Sequence, residues 1–318
     1  MYAKYFGFNE KPFTLTPNPR FIYLSNNHKE AIAHLLYGIN NHCGFIELIG
    51  EVGTGKTTVL RTILNQHSYR SALIFNPCLT QVELLRSINH EFGLSSVSEQ
   101  ANELLEQLNK FLLIENSHGI TVVLAIDEAQ NLSPEILEQL RLISNLETED
   151  DKLIQIILVG QPELGALLGL PELRQLNQRI AVRYQLRPMS MNETGNYIRH
   201  RMIVAGETGG VAFSRSALKL IHLYARGLPR LINHLCDRAL LISYGDEQRS
   251  ISVFTIIRAI GERLDLRKSR QNSLLLAVII ALVLVCATLA VTSSHIETNE
   301  PLSGVTNHQN KITTGSVK

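Results

Sequence analysis

The chain has 318 residues, 45% of them hydrophobic and 19% charged, with 30 Lys+Arg against 29 Asp+Glu and a formal net charge of +1. That length suffices for one large domain or two with a real core. A charge so near zero gives no global electrostatic case for wrapping nucleic acid, and 20 glycines with 10 prolines exclude collagen-like and low-complexity chains.

The first residues, Met1-Tyr2-Ala3-Lys4, lack a basic segment followed by an apolar run, so no signal peptide is expected. Five short, β-branched apolar runs follow at 45–49, 72–75, 121–126, 154–159 and 180–186. Amphipathic segments at 81–92, 102–115 and 134–146 lie between them. Strands buried on both faces and alternating with helices predict a parallel α/β sheet. After Pro188 the pattern is helical only, at 192–205, 215–226, 229–244 and 253–266, with Ser214 and Ser252 placed as N-caps. The expected organisation is an α/β domain over 1–188 and a small helical domain over 189–266.

Residues 273–292 read SLLLAVIIALVLVCATLAVT, without a charge, Gly or Pro. As a helix this run would span about 30 Å, the thickness of a bilayer core. Arg263, Arg267, Lys268 and Arg270 precede it, whereas His295, Glu297 and Glu300 follow it. The basic side stays in the cytoplasm, so 267–272 is a juxtamembrane linker, 273–292 the span and 293–318 a short polar tail beyond the membrane. Cys43, Cys78, Cys236 and Cys286 have neither metal-ligand nor redox spacing, which suits a reducing compartment.

Gly50-Glu51-Val52-Gly53-Thr54-Gly55-Lys56-Thr57 fits G-x-x-x-x-G-K-[ST], with an apolar run before it and a helical pattern from Thr58 after it. Its glycines let backbone N–H groups converge on phosphates, and the helix N-terminus adds positive potential. Lys56 is expected to reach the β/γ-phosphates of ATP, and the Thr57 hydroxyl to coordinate Mg²⁺. About seventy residues on, the run 122–126 ends in Asp127-Glu128. Asp127 is suited to holding Mg²⁺ and Glu128 to activating water, although strands also end in such pairs merely to meet solvent.

Three further cations are candidates for stabilising charge on the transferred phosphate. Arg230 opens a helix in Gly227-Leu228-Pro229-Arg230, while Arg174 and Arg179 precede the run at 180–186. The last two suit an arginine finger offered to a neighbouring subunit, or equally two solvated helix-face charges. Gln161, after the run at 154–159, is placed to sense the γ-phosphate or simply to lead into Pro162.

Together these segments resemble an AAA+ ATPase, and more narrowly the ExeA/GspA family of general secretion pathway ATPases. The likeness rests on Tyr5-Phe6-Gly7-Phe8, Lys11-Pro12-Phe13, Pro17-Asn18-Pro19 and Tyr23-Leu24-Ser25 at the start. It continues through Gly50 to Thr58, Asp127-Glu128-Ala129-Gln130, Val159-Gly160-Gln161-Pro162-Glu163-Leu164, Arg174 to Arg179, Tyr197-Ile198 with Arg201, and Gly227 to Arg230. The resemblance covers residues 1 to about 292. It implies an AAA+ core with a helical lid, ATP and Mg²⁺ as ligands, an opening segment near the adenine, and Arg230 as the lid arginine. Ring-forming homo-oligomers in which Arg174 or Arg179 acts in trans are implied too.

The family's setting is the bacterial inner membrane, crossed once, where an inner-membrane partner helps to assemble an outer-membrane secretin. The tail at 293–318 leaves no room for the peptidoglycan-binding domain that many members carry. Shorter relatives go with MSHA-type pilus assembly, and similar ATPases with polysaccharide export. Two unlike readings stand beside this one: a DNA-handling AAA+ protein, and a nucleotide-dependent oligomerisation scaffold with slow hydrolysis. Protease accessibility tests the topology. The tail should be cut only from the non-cytoplasmic face of sealed vesicles, and cleavage from the cytoplasmic face overturns it.

Overall fold

The computed structural model describes residues 2–263 apart from 16–17, 66–67, 76–79, 95–97, 99, 149–150 and 208. The expected linker, membrane span and tail lie outside the described residues. Among the described residues no helix is long and apolar enough to cross a membrane. Contacts divide the chain into Met1–Ile260, treated below, and Gly261–Lys318, of which only the end of one helix is described.

In chain order, α1 (Tyr2–Tyr5) and α2 (Asn26–Asn40) precede β1 (Phe45–Gly50) and α3 (Lys56–Leu64). Next come β2 (Tyr69–Ile74), α4 (Gln81–Glu91), α5 (Ala101–Ser117), β3 (Thr121–Ile126) and α6 (Pro134–Ile143). Then β4 (Ile154–Gly160), α7 (Pro162–Leu168), α8 (Arg174–Arg179) and β5 (Ile180–Leu186) complete the sheet region. The C-terminal helices are α9 (Met191–Val204), α10 (Arg215–Ala225), α11 (Pro229–Gly245) and α12 (Val253–Arg263). Two-residue strands β6 (Ala212–Phe213) and β7 (Ser250–Ile251) pair between them.

The main sheet is parallel throughout, in the order β2-β3-β4-β1-β5. Because strand side chains alternate, Ile46, Leu48, Val123, Ala125, Ile157 and Val159 form one face, packed on Ala31, Leu35 and Ile39 of α2 and on Val59, Leu60 and Ile63 of α3. Val122, Leu124, Ile126, Ile154, Ile156 and Leu158 form the other, beneath the leucines of α4, α5 and α6. The order has a functional consequence. It sets the C-terminal ends of β3, β4 and β1 side by side, so the loops carrying Asp127, Gln161 and Gly50 emerge from one edge.

The sequence pattern anticipates all five sheet strands, although β2 begins three residues before its apolar run. It does not single out α2, whose sequence NNHKEAIAHLLYGIN is polar at its start and carries only a narrow apolar stripe. Capping by Ser25 and burial against the sheet define that helix.

A second core lies among α9–α12, where Ile198, Met202, Ile221, Ile232, Leu235 and Leu240 meet. Tyr2, Phe6, Phe8, Phe13 and Phe21 from the opening segment are buried in this same core. The aromatic residues of the opening segment therefore pack with the C-terminal helices rather than on the sheet. Arg201 of α9 secures them: its Nε donates to Pro12 O at 2.6 Å and its Nη2 to Thr14 O at 3.4 Å. Its Nη1 donates to the Tyr197 hydroxyl at 3.0 Å, and the guanidinium lies 4.8 Å from the Phe21 ring centroid. Gly210 completes the seat, since a Cβ there would stand 2.3 Å from Phe6 O.

Replacing Arg201 by Ala strands buried carbonyls and opens a void, and should cost about 2–4 kcal/mol of stability. Urea denaturation followed by circular dichroism checks this, and an unchanged midpoint would refute the anchoring role. Arg201→Lys should recover only part of the loss, because an ammonium lacks the planar fork.

Candidate nucleotide-binding site

The loop between β1 and α3 takes its shape from backbone that only glycine adopts freely. Gly53 has φ +83° and Gly55 φ +101°. Gly55 is also the N-cap of α3 and offers no side-chain cap; its carbonyl takes the Thr58 N–H at 2.9 Å, and among the described residues the N–H groups of Lys56 and Thr57 are left open to an anion. Buried Thr54 donates its hydroxyl to Glu51 O at 2.8 Å, tightening the turn. Lys56 is buried at the start of α3 and folds back over the loop, its Nζ donating to Gly50 O at 2.8 Å and Glu51 O at 3.2 Å. Burial lowers its pKa, with the carboxylates of Glu128 and Asp127 acting in the opposite sense.

Asp127 follows β3 and is buried, its N–H donating to Ile74 O at 3.0 Å. Its Oδ2 accepts from the Thr57 hydroxyl at 2.7 Å, and its Oδ1 from the Glu128 N–H at 2.9 Å. Glu128 itself stands in the left-handed region at φ +55°, a strained conformation for a residue with a Cβ. Its carboxylate accepts from Gln130 Nε2 at 2.7 Å and from Gln161 Nε2 at 3.1 Å. The amide of Gln130 is used at both ends, because its Oε1 accepts the Gln161 N–H at 3.0 Å. These contacts hold the Glu128 pKa below the usual carboxylate value: the Gln130 bond acts most, burial opposes it, and Gln161 and Lys56 add to the lowering.

Arg230 reaches the same place from the C-terminal helices. Gly227 has φ +72°, and a Cβ there would collide with Met189 O at 2.0 Å, while the Met189 N–H donates to Gly227 O at 3.0 Å. Pro229 then starts α11, bringing Arg230 against the loop. A Cβ on Gly53 would lie 3.0 Å from Arg230 Cβ. Arg230 is exposed, and among the described residues it has no hydrogen-bond or ion-pair partner.

Arg174 and Arg179 do not join this cluster. They stand exposed on α8 at the opposite end of the sheet, where Arg179 donates to Ser144 Oγ at 3.3 Å and to Asn145 Oδ1. Ile180 pairs with Phe45, five residues before Gly50. At strand rise that separates Arg179 from its own loop by about 16 Å.

Two residues in the site are given no role by the sequence alone. Gln130 belongs to the Asp-Glu-Ala-Gln segment, but its bonds exist only because a 3-10 turn, Ala129–Asn131, swings it beside β4. His28 lies 26 residues before Thr54, and its buried ring meets the loop from α2, with Nε2 2.9 Å from Thr54 O. Period and motif carry no signal for such a contact.

Free N–H groups at a glycine-shaped turn, an inward lysine and a Thr–Asp pair fit a nucleoside triphosphate with its divalent cation. On this parallel sheet they define a P-loop NTPase fold. A family model described as an AAA domain matches residues 39–168. The chain is 47% identical over 247 residues to general secretion pathway protein A of Aeromonas hydrophila, a match covering 77% of this chain and 45% of that protein. An AAA domain thus matches residues 39–168 of this chain, which spans a little under half the length of the general secretion pathway relative.

It is also 25% identical over 207 residues to the ATP-dependent target DNA activator B of Escherichia phage Mu, covering 63% of this chain and 60% of that one. Among solved structures, the ORC2 protein of Aeropyrum pernix in its ADPNP-ADP complexes superposes with TM-score 0.59 at 19% identity, over 80% of this chain and 71% of that chain. At that identity the likeness speaks for the fold.

Gly55→Ala places a Cβ 2.6 Å from His28 Nε2 at a φ that alanine resists. It should destabilise the nucleotide-free protein by at least about 1–2 kcal/mol. Chemical denaturation reads this directly, and wild-type stability would contradict the packing.

Proposed function

We propose that the chain is a membrane-anchored AAA+ ATPase that drives or regulates assembly of a trans-envelope secretion system, in the manner of type II secretin assembly, or of related pilus or export machinery. The single observation that carries the catalytic part is the hydrogen bond from Thr57 to Asp127, set beside Lys56 and the clamped carboxylate of Glu128. The secretion setting is supported by the 47% identity to general secretion pathway protein A.

In this reading the N–H groups of Gly53 to Thr58 cradle the phosphates of ATP, and Lys56 neutralises their charge. Thr57 and Asp127 hold Mg²⁺, which when bound supplies further charge neutralisation. Glu128 orients the attacking water and accepts its proton, Gln161 reads the γ-phosphate, and Arg230 reaches it from a helical lid at 189–266. Arg179 or Arg174 serves the neighbouring subunit of a ring, which suits their exposure and their distance from their own loop. A helix over 273–292 holds the assembly at the inner membrane, with residues 1–272 in the cytoplasm and 293–318 in the periplasm. An inner-membrane or periplasmic partner receives the conformational change.

Glu128→Gln should keep ATP binding while lowering kcat by about 10²–10³-fold, as read by phosphate release and by binding of a fluorescent ATP analogue. Turnover at the wild-type rate would sink the role of Glu128. Gln130→Ala removes the bond that chiefly lowers the Glu128 pKa. That pKa should rise, moving the acidic limb of the kcat profile to higher pH, whereas an unmoved limb contradicts it.

A second reading, a DNA-handling ATPase, is favoured by the similarity to the phage Mu activator. It requires DNA-stimulated hydrolysis with a steep salt dependence. A mild-detergent pull-down from the cytoplasmic end separates the settings: secretin-associated inner-membrane proteins support the first, and pilus or polysaccharide-export components redirect it within the same class.

A further inference from the structure

His28 occupies a position that the nucleotide chemistry above leaves unused. Its ring is buried at the first turn of α2, with Ser25 on one side and the phosphate loop on the other. Nδ1 accepts from the Ser25 hydroxyl at 2.6 Å and from the Ser25 N–H at 3.3 Å. That assigns the ring proton to Nε2, which donates to Thr54 O at 2.9 Å. The peptide that follows is planar and trans, so a carbonyl drawn toward His28 turns the Gly55 N–H the opposite way. His28 thus fixes the direction of a phosphate-binding amide from outside the loop. The fit leaves no slack, since a Cβ on Gly55 would overlap the imidazole.

The other side of the same turn belongs to the C-terminal helices. Asn26, at the start of α2, donates its N–H to Glu193 Oε1 at 2.9 Å. Glu193 Oε2 accepts the N–H and hydroxyl of Ser190 at 2.9 and 2.8 Å, capping α9. One carboxylate therefore joins the N-termini of α2 and α9, where both helix dipoles favour it. The chain entering at Ser25 comes from Phe21 and Tyr23, which pack in the α9–α12 core.

We propose that His28 is a positioning residue for phosphate binding, and that Glu193 transmits the placement of α9 to the phosphate loop through it. This rests on the nucleotide-binding reading above and adds a mechanical link to it. Movement of α9 shifts Glu193, then the first turn of α2, then the carbonyl of Thr54. Loop geometry and helix placement become one variable rather than two.

The test uses the full 318-residue chain with a fluorescent ATP analogue and Mg²⁺, with steady-state kinetics alongside. His28→Ala should weaken analogue binding about tenfold, the scale of one lost hydrogen bond, raising KM more than it lowers kcat. His28→Gln, whose amide can still donate to Thr54 O, should recover part of that affinity. It also keeps the test open if the alanine variant does not fold. Glu193→Ala should weaken binding several-fold in the wild-type background and have no further effect beside His28→Ala.

A His28→Ala protein that binds as tightly as wild type overturns the positioning role. Single effects that multiply in the double variant overturn the link to Glu193. A wild-type chain that binds no nucleotide overturns the proposed function and this inference together, whereas normal wild-type binding with a silent His28→Ala overturns this inference alone.

Discussion

The hydrogen bond between Thr57 and Asp127 joins residues 70 apart in sequence, and much of the surrounding architecture serves to make it possible. It requires β1 and β3 to end at one edge, one strand apart, which the order β2-β3-β4-β1-β5 achieves. It requires α3 to start immediately after the loop, which the positive φ angles of Gly53 and Gly55 allow. The strand between them, β4, then brings its own C-terminal loop to the gap, where Gln161 meets Glu128. A parallel sheet concentrates loop chemistry at one edge because every strand points the same way.

Around that bond the site holds its charges by polar clamps. Glu128 stands in a left-handed conformation that costs energy, and the two glutamine amides that hold its carboxylate offset the strain locally. Those amides also stabilise the ionised form, so the device that fixes the geometry also sets the protonation state. Lys56 is treated in the opposite way: burial disfavours its charge, and nearby carboxylates restore part of it. An incoming polyanion would complete what the loop carbonyls now provide for that ammonium.

The second core draws in the start of the chain. The opening aromatic segment lies among α9–α12, while α2, which follows directly, packs on the sheet. The chain thus crosses from one core to the other at Ser25, where it touches the turn between β1 and α3 through His28. Gly227 and Met189 form another crossing, which delivers Arg230. Both crossings converge on Gly53 to Gly55, the part of the loop whose backbone directions matter most.

Local chemistry made much of this protein legible in its sequence. Apolar runs of strand length located the five sheet strands. Glycine spacing beside Lys56-Thr57 located the positive-φ turn before α3, and an apolar run ending in Asp127-Glu128 located the acidic pair after β3, because each signal is carried by neighbouring residues. The resemblance to general secretion pathway ATPases was legible in the same way, from contiguous segments. The strand order, the burial of Phe6 and Phe13 beside Met202, the bridge through Gln130 and the contact of His28 with Thr54 were not legible. Each joins residues that meet only after folding, so no periodicity or spacing encodes it. The sequence by itself determined which reactive residue types stand next to one another along the chain; tertiary structure alone decided which backbone groups they lean on, because burial and hydrogen-bond direction are properties of the packed chain.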